Sequence, residues 1–291
     1  MKAGRKRERG VALVAVLLSL TVLTAIAAGF LDTSTSVTLT ARALDEQARL
    51  RAAADAGIHL ALARLLDPDP LARPASDGTV WRERFEGMEL LLSAQDLTGL
   101  VDLNRADGDL LRRLFEAAGV PSGEATTLAD RVLDYRDRDE LRHPSGAEDR
   151  DYAAAGAPFG AADRAFVNVE ELRRVLGVTD PVYRAVQGSL TVAGSGSRPD
   201  LASAPPLVKT AIGVAAPEDP EATLPPAAST GTYRLRALAR LPGGGIFLRE
   251  AVVELRAGSS APPVVLDWRH LWQLPPEFSI STAGADGSLA R

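Results

Sequence analysis

The sequence contains no cysteine, only 5% aromatic residues and only three histidines. Without cysteine the chain forms no disulfide, no thiolate metal site and no cysteine nucleophile. Its three histidines, His59, His143 and His270, are too widely spaced for a metal-binding motif, and they leave few candidates for acid–base catalysis. Lysine is almost absent after the first ten residues, with Lys209 as the single example. A lysine cluster that could bind phosphates is therefore missing.

What the sequence does contain is one long apolar run near its start. The 21 residues from Val11 to Leu31 carry no charge. As a helix they would extend roughly 30 Å, the thickness of the hydrocarbon core of a bilayer. Five cations precede the run, and Asp32 with a Thr/Ser stretch follows it. The positive-inside rule then predicts a single-pass membrane protein with its N-terminus in the cytoplasm.

Three kinds of N-terminal segment fit this pattern: an uncleaved signal anchor, a cleaved secretory signal and a prepilin-type leader. A secretory signal is usually shorter and precedes a polar mature protein, whereas here helix-compatible sequence continues to about Leu66. The junction of Gly10 and Val11 resembles a prepilin cleavage site, which follows a glycine on the cytoplasmic side of the apolar run. Residues 1–10 would then be a leader. It carries five cations and one anion, so its removal changes the formal net charge from −5 to −9.

The helical pattern continues beyond the apolar run until Asp67-Pro68-Asp69-Pro70 ends it. Residues 11–31 are thus predicted to form the membrane half of one long helix, and residues 32–101 its outer half and the first strands. In the outer half, apolar residues recur at spacings of three, four or their multiples: Leu44, Ala48, Ala52, Ile58, Leu62 and Leu65. We expect this face to pack against the rest of the chain.

A strand–helix–strand order follows. Two strands, Val80–Phe85 and Met88–Ala94, flank Glu86-Gly87 and are predicted to form a hairpin. Between residues 102 and 188 the apolar spacing is helical, with Ser122 and Asn168 as candidate N-caps. This region is predicted to be an inserted helical domain.

The last third of the chain begins with a segment that is rich in glycine, serine and proline. Residues 189–228 indicate a variable linker or a reduced second helical unit, with one short helix possible at its centre. Residues 229–268 are predicted to contain the C-terminal strands. Apolar and polar residues alternate there as in a strand, and this pattern predicts a hairpin over 233–255 and a last strand over 264–268. Residues 269–291 form a tail without a clear pattern.

An acidic stretch of eighteen residues lies inside the predicted helical domain. Its carboxylates are Asp134, Asp137, Asp139, Glu140, Glu148, Asp149 and Asp151. Oxygen ligands at short spacing on a turning loop suit calcium, although the EF-hand spacing is absent. The alternative is a solvated loop whose arginines neutralise the acids through surface pairs that contribute little. The residues alone leave both interpretations open.

Several segments, in chain order, resemble the type II secretion system minor pseudopilin known as protein K. They are RERGVALVAVLLSLTVL, EQARLRAAADAGIHLALARLL, DLTGLVDLNRA, LADRVLDYRDRDELRHPSGAEDRDY, VNVEELRRVLGV, the hairpin of residues 232–255 and VVLDWR. The resemblance implies an α+β fold, in which a pilin-like long N-terminal helix packs on a small antiparallel sheet. A large helical domain, similar to SAM and helix-hairpin-helix domains, is inserted between the strands. The segment 194–228 departs from the family, which has a clearer second helical unit there.

The resemblance also implies a function and a location. A minor pseudopilin of this family would sit at the tip of the pseudopilus, where it initiates or caps assembly for protein export across the outer membrane. It would be anchored in the inner membrane with its C-terminal domain in the periplasm. The implied partners are the other minor pseudopilins through helix packing, prepilin peptidase, and the inner-membrane secretion platform. Neither nucleic-acid binding nor enzymatic activity is expected.

Three implied features concern particular residues. Prepilin peptidase would cut between Gly10 and Val11, with methylation of the new N-terminus. Ala15, the fifth mature residue, replaces the glutamate that in most pilins pairs with the N-terminal amine of the neighbouring subunit, as expected for a tip subunit. The acidic stretch matches the calcium-binding stretch of the family, and this implies the ligands Asp134, Asp137, Asp139, Glu148 and Asp149.

Two other functions fit parts of the sequence. A type IV pilus minor pilin would have a similar leader, but the large helical insert and Ala15 argue against it. Residues 101–136 also resemble a helix-hairpin-helix, a module that holds DNA phosphates with backbone amides, and this would suit a membrane-anchored DNA receptor. The acidic net charge argues against DNA binding. A glycosidase is disfavoured as well. The carboxylates of residues 134–151 could be taken for a catalytic pair, but they lie on one loop without an aromatic platform on which a sugar could stack.

Overall fold

The N-terminal helix, α1, extends from Arg5 to Leu65, close to its predicted end. The computed structural model describes residues 5–194, 196–214, 231–256 and 262–278. Within α1, it describes the side chains of residues 13–25 and of all residues from 40 onward. The chain divides into two units, 1–50 and 51–291. Among the described residues, no helix reaches both the length and the hydropathy that crossing a bilayer requires. The predicted membrane segment lies partly outside the described side chains, as do Gly10 and Val11.

In the second unit, the buried face of α1 consists mainly of small residues. It comprises Ala53, Ala54, Gly57, Ile58, Ala61 and Leu65. A Cβ atom at Gly57 would lie 2.8 Å from the Cβ atom of Ala237, so the helix approaches the sheet as closely as a glycine allows. The predicted face was wrong in part, because Leu44, Ala48 and Ala52 are exposed. Ala53, Ala54 and Ala61, which the predicted spacing did not include, are buried instead.

In the described part of the chain, seven strands form two sheets. They are β1 (Asp77–Phe85), β2 (Met88–Asp96), β3 (Val101–Asp102), β4 (Leu190–Thr191), β5 (Gly231–Arg240), β6 (Ile246–Leu255) and β7 (Val264–His270). Five of them form an antiparallel sheet in the order β1-β2-β5-β6-β7, and β3 and β4 pair in parallel. The β1–β2 turn has positive φ angles at Glu86 (48°) and Gly87 (77°), as a two-residue hairpin requires. Both predicted hairpins and the last strand are confirmed.

The helices between β2 and β5 share one apolar core. They are α2 (Gly108–Ala117), α3 (Ser122–Arg136), α4 (Asp149–Ala154), α5 (Asp180–Val186) and α6 (Pro206–Ile212), with a 3-10 helix over Val169–Arg174. Leu111 and Leu114 of α2 pack in this core with Val208 and Ala211 of α6. The helical domain therefore continues past the predicted boundary at residue 188, up to α6. The short helix α4 was not predicted, because six residues are too few to show a period.

Two capping predictions have different outcomes. The side chain of Asn168 accepts a hydrogen bond from the backbone N–H of Glu171 (3.0 Å), as predicted, although the helix that it caps is a 3-10 helix. Ser122 was predicted to cap α3 but is its first helical residue, with Pro121 at the N-cap position. The Oγ atom of Ser122 donates to Glu116 instead (2.5 Å).

The central strands of the sheet, β2, β5 and β6, are largely buried on both faces. One face packs on α1 through Leu92 and Ala237, beside Gly57. The other face carries a small apolar cluster of Leu91, Leu238, Leu248 and Phe278. Phe278 is fully buried and belongs to the tail for which the sequence showed no pattern. A sheet that is covered on both faces explains why buried polar side chains occur among the strands.

Candidate functional site

The acidic cluster forms where two helices of the inserted domain meet a loop. Asp134 lies in the last turn of α3, and Asp137 is the residue that follows the end of this helix. Glu148 is the N-cap of α4 and exchanges capping hydrogen bonds with Asp151. The loop between the two helices folds back, so carboxylates eleven residues apart in sequence come close together.

Asp134 is the buried centre of the cluster, with no exposed side-chain surface. The backbone N–H of His143 lies 3.2 and 3.3 Å from its two carboxylate oxygens. The Nδ1 atom of His143 lies 2.5 Å from Oδ1. A Cβ atom at Gly146 would lie 1.7 Å from Oδ2, so only glycine lets the loop pass this carboxylate. The loop sequence therefore fixes the position of Asp134.

Two oxygens in the cluster are buried and have no hydrogen-bond partner among the described residues. They are Oδ1 of Asp137 and Oε1 of Glu148. Burial, followed by the charges of Asp134 and Asp137, raises the pKa of Glu148 to about 7. Burial also raises the pKa of Asp137, with further contributions from Asp139 and Asp134. Several carboxylates thus crowd this site, and the described residues supply too few donors to satisfy them.

Not all of the predicted calcium ligands come together. Atoms of Asp134, Asp137 and His143 lie within 4.8 Å of one another. Besides the effect of burial, the charges of Asp134 and Asp137 raise the pKa of Glu148, and the charge of Asp139 contributes as well. Asp139 itself is exposed and accepts a hydrogen bond from the backbone N–H of Leu141 (2.8 Å).

Asp149 is oriented differently from the other predicted ligands. It is exposed, and its Oδ1 atom accepts a hydrogen bond from the backbone N–H of Ala161 (3.1 Å). A Cβ atom at Gly160 would lie 1.8 Å from the same oxygen. This carboxylate therefore holds the chain beyond α4, and it is not part of the group that surrounds Asp134.

His143 is not among the ligands that the sequence predicts for this site. The three histidines were judged only by their distance from one another, whereas His143 pairs with a carboxylate nine residues earlier in the chain. Its position just before Pro144-Ser145-Gly146 was an available signal, since this turn returns the loop to α3. Asp163 was also not assigned, but its charge contributes to the raised pKa of Glu148.

The donor set fits a hard cation. Carboxylate oxygens are the ligands that calcium prefers, and two buried oxygens have no hydrogen-bond partner in the part of the chain that the structure describes. Two protons offer a second way to neutralise the cluster, one on Glu148 and one on His143, whose pKa is raised by its hydrogen bond with Asp134. The arrangement can therefore take up either a cation or protons.

The fold and the site together define a class of protein: a long helix and an antiparallel sheet, with a helical insertion that carries an acidic loop. Residues 91–195, which include this loop, match the family model of type II secretion system protein K. Over this region the chain is similar to protein K of type II secretion systems.

Individual relatives are similar to much of the chain. The type II secretion system protein K of Pseudomonas aeruginosa is 30% identical over 205 residues, which cover 62% of this chain and 60% of that protein. The protein K of Pectobacterium carotovorum is 26% identical over 204 residues, which cover 62% and 61%. The chain thus spans about three fifths of the length of these relatives.

A solved structure shares the fold. It is the GspK-GspI-GspJ complex of the type II secretion system from enterotoxigenic Escherichia coli. The matched chain superposes with a TM-score of 0.53 at 15% identity, over 82% of this chain and 99% of that chain. At this identity the similarity concerns the fold alone, and it agrees with the architecture of helix and antiparallel sheet.

Proposed function

We propose that this chain is a minor pseudopilin of a type II secretion system and that it acts by assembly, not by catalysis. The match of residues 91–195 to protein K carries this proposal. The similar solved structure is a complex of GspK with GspI and GspJ. By analogy, the partners of this chain are two other small minor pseudopilins, and the complex forms at the tip of the pseudopilus.

The proposed location follows from the N-terminal sequence. The apolar run of residues 11–31 anchors the chain in the inner membrane, with the pilin-like head in the periplasm. Prepilin peptidase removes residues 1–10 by cutting after Gly10, and the secretion platform then takes up the mature subunit. Ala15 leaves no carboxylate that requires a partner above it. A subunit of this kind suits the tip, because an unpaired glutamate inside a bilayer costs several kcal/mol.

The acidic cluster is proposed to hold calcium. Asp134, Asp137 and Glu148 are the proposed ligands, supported by the two buried oxygens that lack partners among the described residues. Asp139 and Asp163 add negative charge nearby. Calcium would supply the positive charge that the cluster lacks and would link the end of α3 to the start of α4. Its role would be to stabilise the inserted domain.

Co-expression tests the proposed assembly. The full-length chain would be produced with the two other small minor pseudopilins of the same secretion system and extracted in detergent. We expect one peak that contains all three chains in size-exclusion chromatography, and a pilin from an unrelated type IV pilus should not join it. Elution of the chain alone, separate from both partners, would contradict the proposal.

The tip position has its own test. Ala15→Glu places a carboxylate at the fifth mature position, and Ala15→Leu is the control that keeps this position apolar. If no subunit lies above this chain, the glutamate has no amine to pair with, and secretion should fall while Ala15→Leu supports normal secretion. Equal secretion by both variants would argue against the tip position without affecting the co-expression result.

A further inference from the structure

A cavity of about 530 Å³ opens beside the sheet, on the face that does not pack against α1. The strands β1, β2 and β5 form its floor, and the start of α6 and the segment before Phe278 form its walls. Its volume lies within the range of small-molecule binding sites. The acidic cluster around Asp134 is not part of its lining.

Arg234 forms part of the lining and is itself buried, with 8% of its surface exposed. It lies in the middle of the sheet, opposite Gln95 of β2 and Val252 of β6. Its Nη2 atom donates to the backbone carbonyl of Gly188 (2.8 Å). Its Nε atom is buried and has no hydrogen-bond partner among the described residues. One contact thus uses only part of a guanidinium that has five N–H donors.

The carboxylates near Arg234 are paired with other cations. Glu250 lies 2.6 Å from Nε of Arg236 and 2.6 Å from Nη2 of Arg269. Glu277 also pairs with Arg236, and Asp77 at the rim lies 3.7 Å from Lys209. Within the described part of the chain, no carboxylate forms an ion pair with Arg234. A buried positive charge therefore borders the cavity, and no anion of the described residues pairs with it.

The electrostatic environment of Arg234 agrees with this geometry. Burial, followed by the charge of Arg236, lowers its pKa to about 10, and the nearby Glu250 and Glu277 do not offset these effects. At neutral pH the guanidinium still carries its charge. An ion that is buried without a paired partner is unfavourable, and an anion placed next to it restores the balance.

The hydrogen bond to Gly188 gives Arg234 a structural role, because it links β5 to the helical domain. That role alone does not account for a cavity next to the charge, since a buried neutral donor such as glutamine could make the same bond. The rest of the lining combines apolar residues, such as Val80, Leu207 and Pro276, with polar ones. Arg236 and Glu277 also line the cavity, but they form an ion pair with each other. Among the described residues the site therefore offers one cationic group that is not in an ion pair, Arg234, and apolar surface that can contact an apolar body.

We propose that this cavity binds a carboxylate that is carried on an apolar body, with the guanidinium of Arg234 holding the carboxylate and the apolar residues of the lining contacting the body. A charge-assisted pair between arginine and carboxylate is stronger than a neutral hydrogen bond and is often bidentate. Both a free short-chain acid and the C-terminal residue of a peptide have this chemistry.

The test uses the full-length chain in detergent and isothermal titration calorimetry with three probes. N-acetyl-leucine carries the carboxylate and an apolar body, its amide lacks the charge, and butanoate represents a free acid. We expect N-acetyl-leucine to bind at least about tenfold more tightly than its amide, as the loss of a charge-assisted hydrogen bond predicts. Tighter binding of N-acetyl-leucine than of butanoate would identify a peptide terminus as the source, and equal binding would identify a free acid.

Three variants decide the assignment. Arg234→Met removes the guanidinium and should abolish the preference for the acid over the amide. Ala185→Trp, an exposed position at the rim, should block the cavity and weaken binding of both compounds. Arg240→Met, at the far end of β5, removes a similar charge outside the cavity and should leave binding unchanged.

The proposal is overturned if no probe shows saturable binding, if acid and amide bind equally, or if Arg234→Met keeps the preference. If Arg234→Met does not fold, Ala185→Trp decides alone, and binding of the acid at wild-type strength by this variant overturns the site.

Discussion

The Nδ1 atom of His143 lies 2.5 Å from the Oδ1 atom of Asp134, within the acidic cluster of the inserted domain. The hydrogen bond with Asp134 raises the pKa of His143, so the imidazolium neutralises a carboxylate that has no exposed surface. The same carboxylate is a proposed calcium ligand. Because like charges repel, a bound metal ion and the proton of His143 compete for Asp134. Calcium affinity should therefore depend on pH as well as on the acidic ligands.

Calcium should raise the melting temperature of the protein. At a concentration of about 100 times the Kd, binding to the folded state alone contributes about 3 kcal/mol. For a domain of this size that corresponds to roughly 5–10 °C. The double variant Asp137→Ala with Glu148→Ala should abolish the shift, since it removes both oxygens that lack partners in the described structure. Calorimetry of the detergent-solubilised chain, in calcium and in EGTA, measures this difference.

The matched control is Asp149→Asn. The side-chain oxygen of asparagine can still accept the N–H of Ala161, and this residue lies apart from the group around Asp134. Asp149→Asn should therefore keep the full calcium shift. If this variant loses the calcium-dependent rise in melting temperature, Asp149 is a ligand, as the sequence predicts. If the wild type itself shows no rise with calcium, calcium does not bind at this site.

Without calcium, the free energy of unfolding should decrease as the pH rises from about 4.5 to about 7. Burial and the neighbouring charges of Asp134 and Asp137 raise the pKa of Glu148 from 4.5 to about 7. Between these values the folded protein holds a proton that the unfolded chain has released, so the folded state loses stability with rising pH, by at most about 3 kcal/mol. The raised pKa of His143 acts in the same direction, since its stabilising charge is lost as the pH rises through that pKa.

Urea denaturation in EGTA across this pH range measures the effect. Other carboxylates contribute to the pH dependence of the whole protein, so the comparison that matters is between the wild type and Glu148→Gln. The variant should lose the decrease that belongs to Glu148 and become relatively more stable towards pH 7 and above. Identical pH profiles for the two proteins would show that Glu148 titrates normally in the fold.

The hairpins and the long helix were predictable because local sequence determines them. Alternation over residues 233–239, a Glu86-Gly87 turn and a proline stop after Leu65 each define an element without distant contacts. The second buried face of the sheet was not predictable. It depends on Phe278, which comes from a tail without periodicity, and on buried arginines that in sequence resemble a solvent-facing row.

The acidic site was predictable in composition but not in geometry. The density of carboxylates indicates the loop. The sequence does not show that Asp149 accepts a hydrogen bond from Ala161, while Glu148 lies near enough to Asp134 for its charge to raise the pKa of Glu148. Adjacent residues at a helix start have different directions, and the start of α4 was itself not predicted. The pairing of His143 with Asp134 likewise depends on a loop that only Gly146 allows to close.

The contact between α1 and the sheet should be sensitive to a single methyl group. Gly57→Ala places a Cβ atom 2.8 Å from the Cβ of Ala237 and 3.0 Å from Cδ2 of Leu92. Overpacking of this kind costs about 1–3 kcal/mol, which is partly offset by a gain of about 1 kcal/mol in helix propensity. We expect a net loss of about 1 kcal/mol in the free energy of unfolding, measured by urea denaturation.

Gly123→Ala is the matched control for this substitution. Gly123 lies in the first turn of α3, and a Cβ atom there would meet no atom within 4 Å. The same change should therefore leave stability unchanged or raise it by up to about 1 kcal/mol, through helix propensity alone. If both variants gain stability, α1 does not approach the sheet as closely as the structure indicates.

The proposed processing of the N-terminus depends on Gly10. Gly10→Arg places a large charged side chain at the residue before the cut, where the peptidase is expected to require glycine. The variant should accumulate as a precursor that keeps residues 1–10, whereas the wild type should lose them when prepilin peptidase is co-expressed.

Gly4→Ala, which changes the other glycine of the leader, should be processed normally. Intact-mass spectrometry of the membrane fraction separates the two forms. Normal maturation of Gly10→Arg would mean that the peptidase does not read this glycine, and the leader would then be better explained as an uncleaved signal anchor.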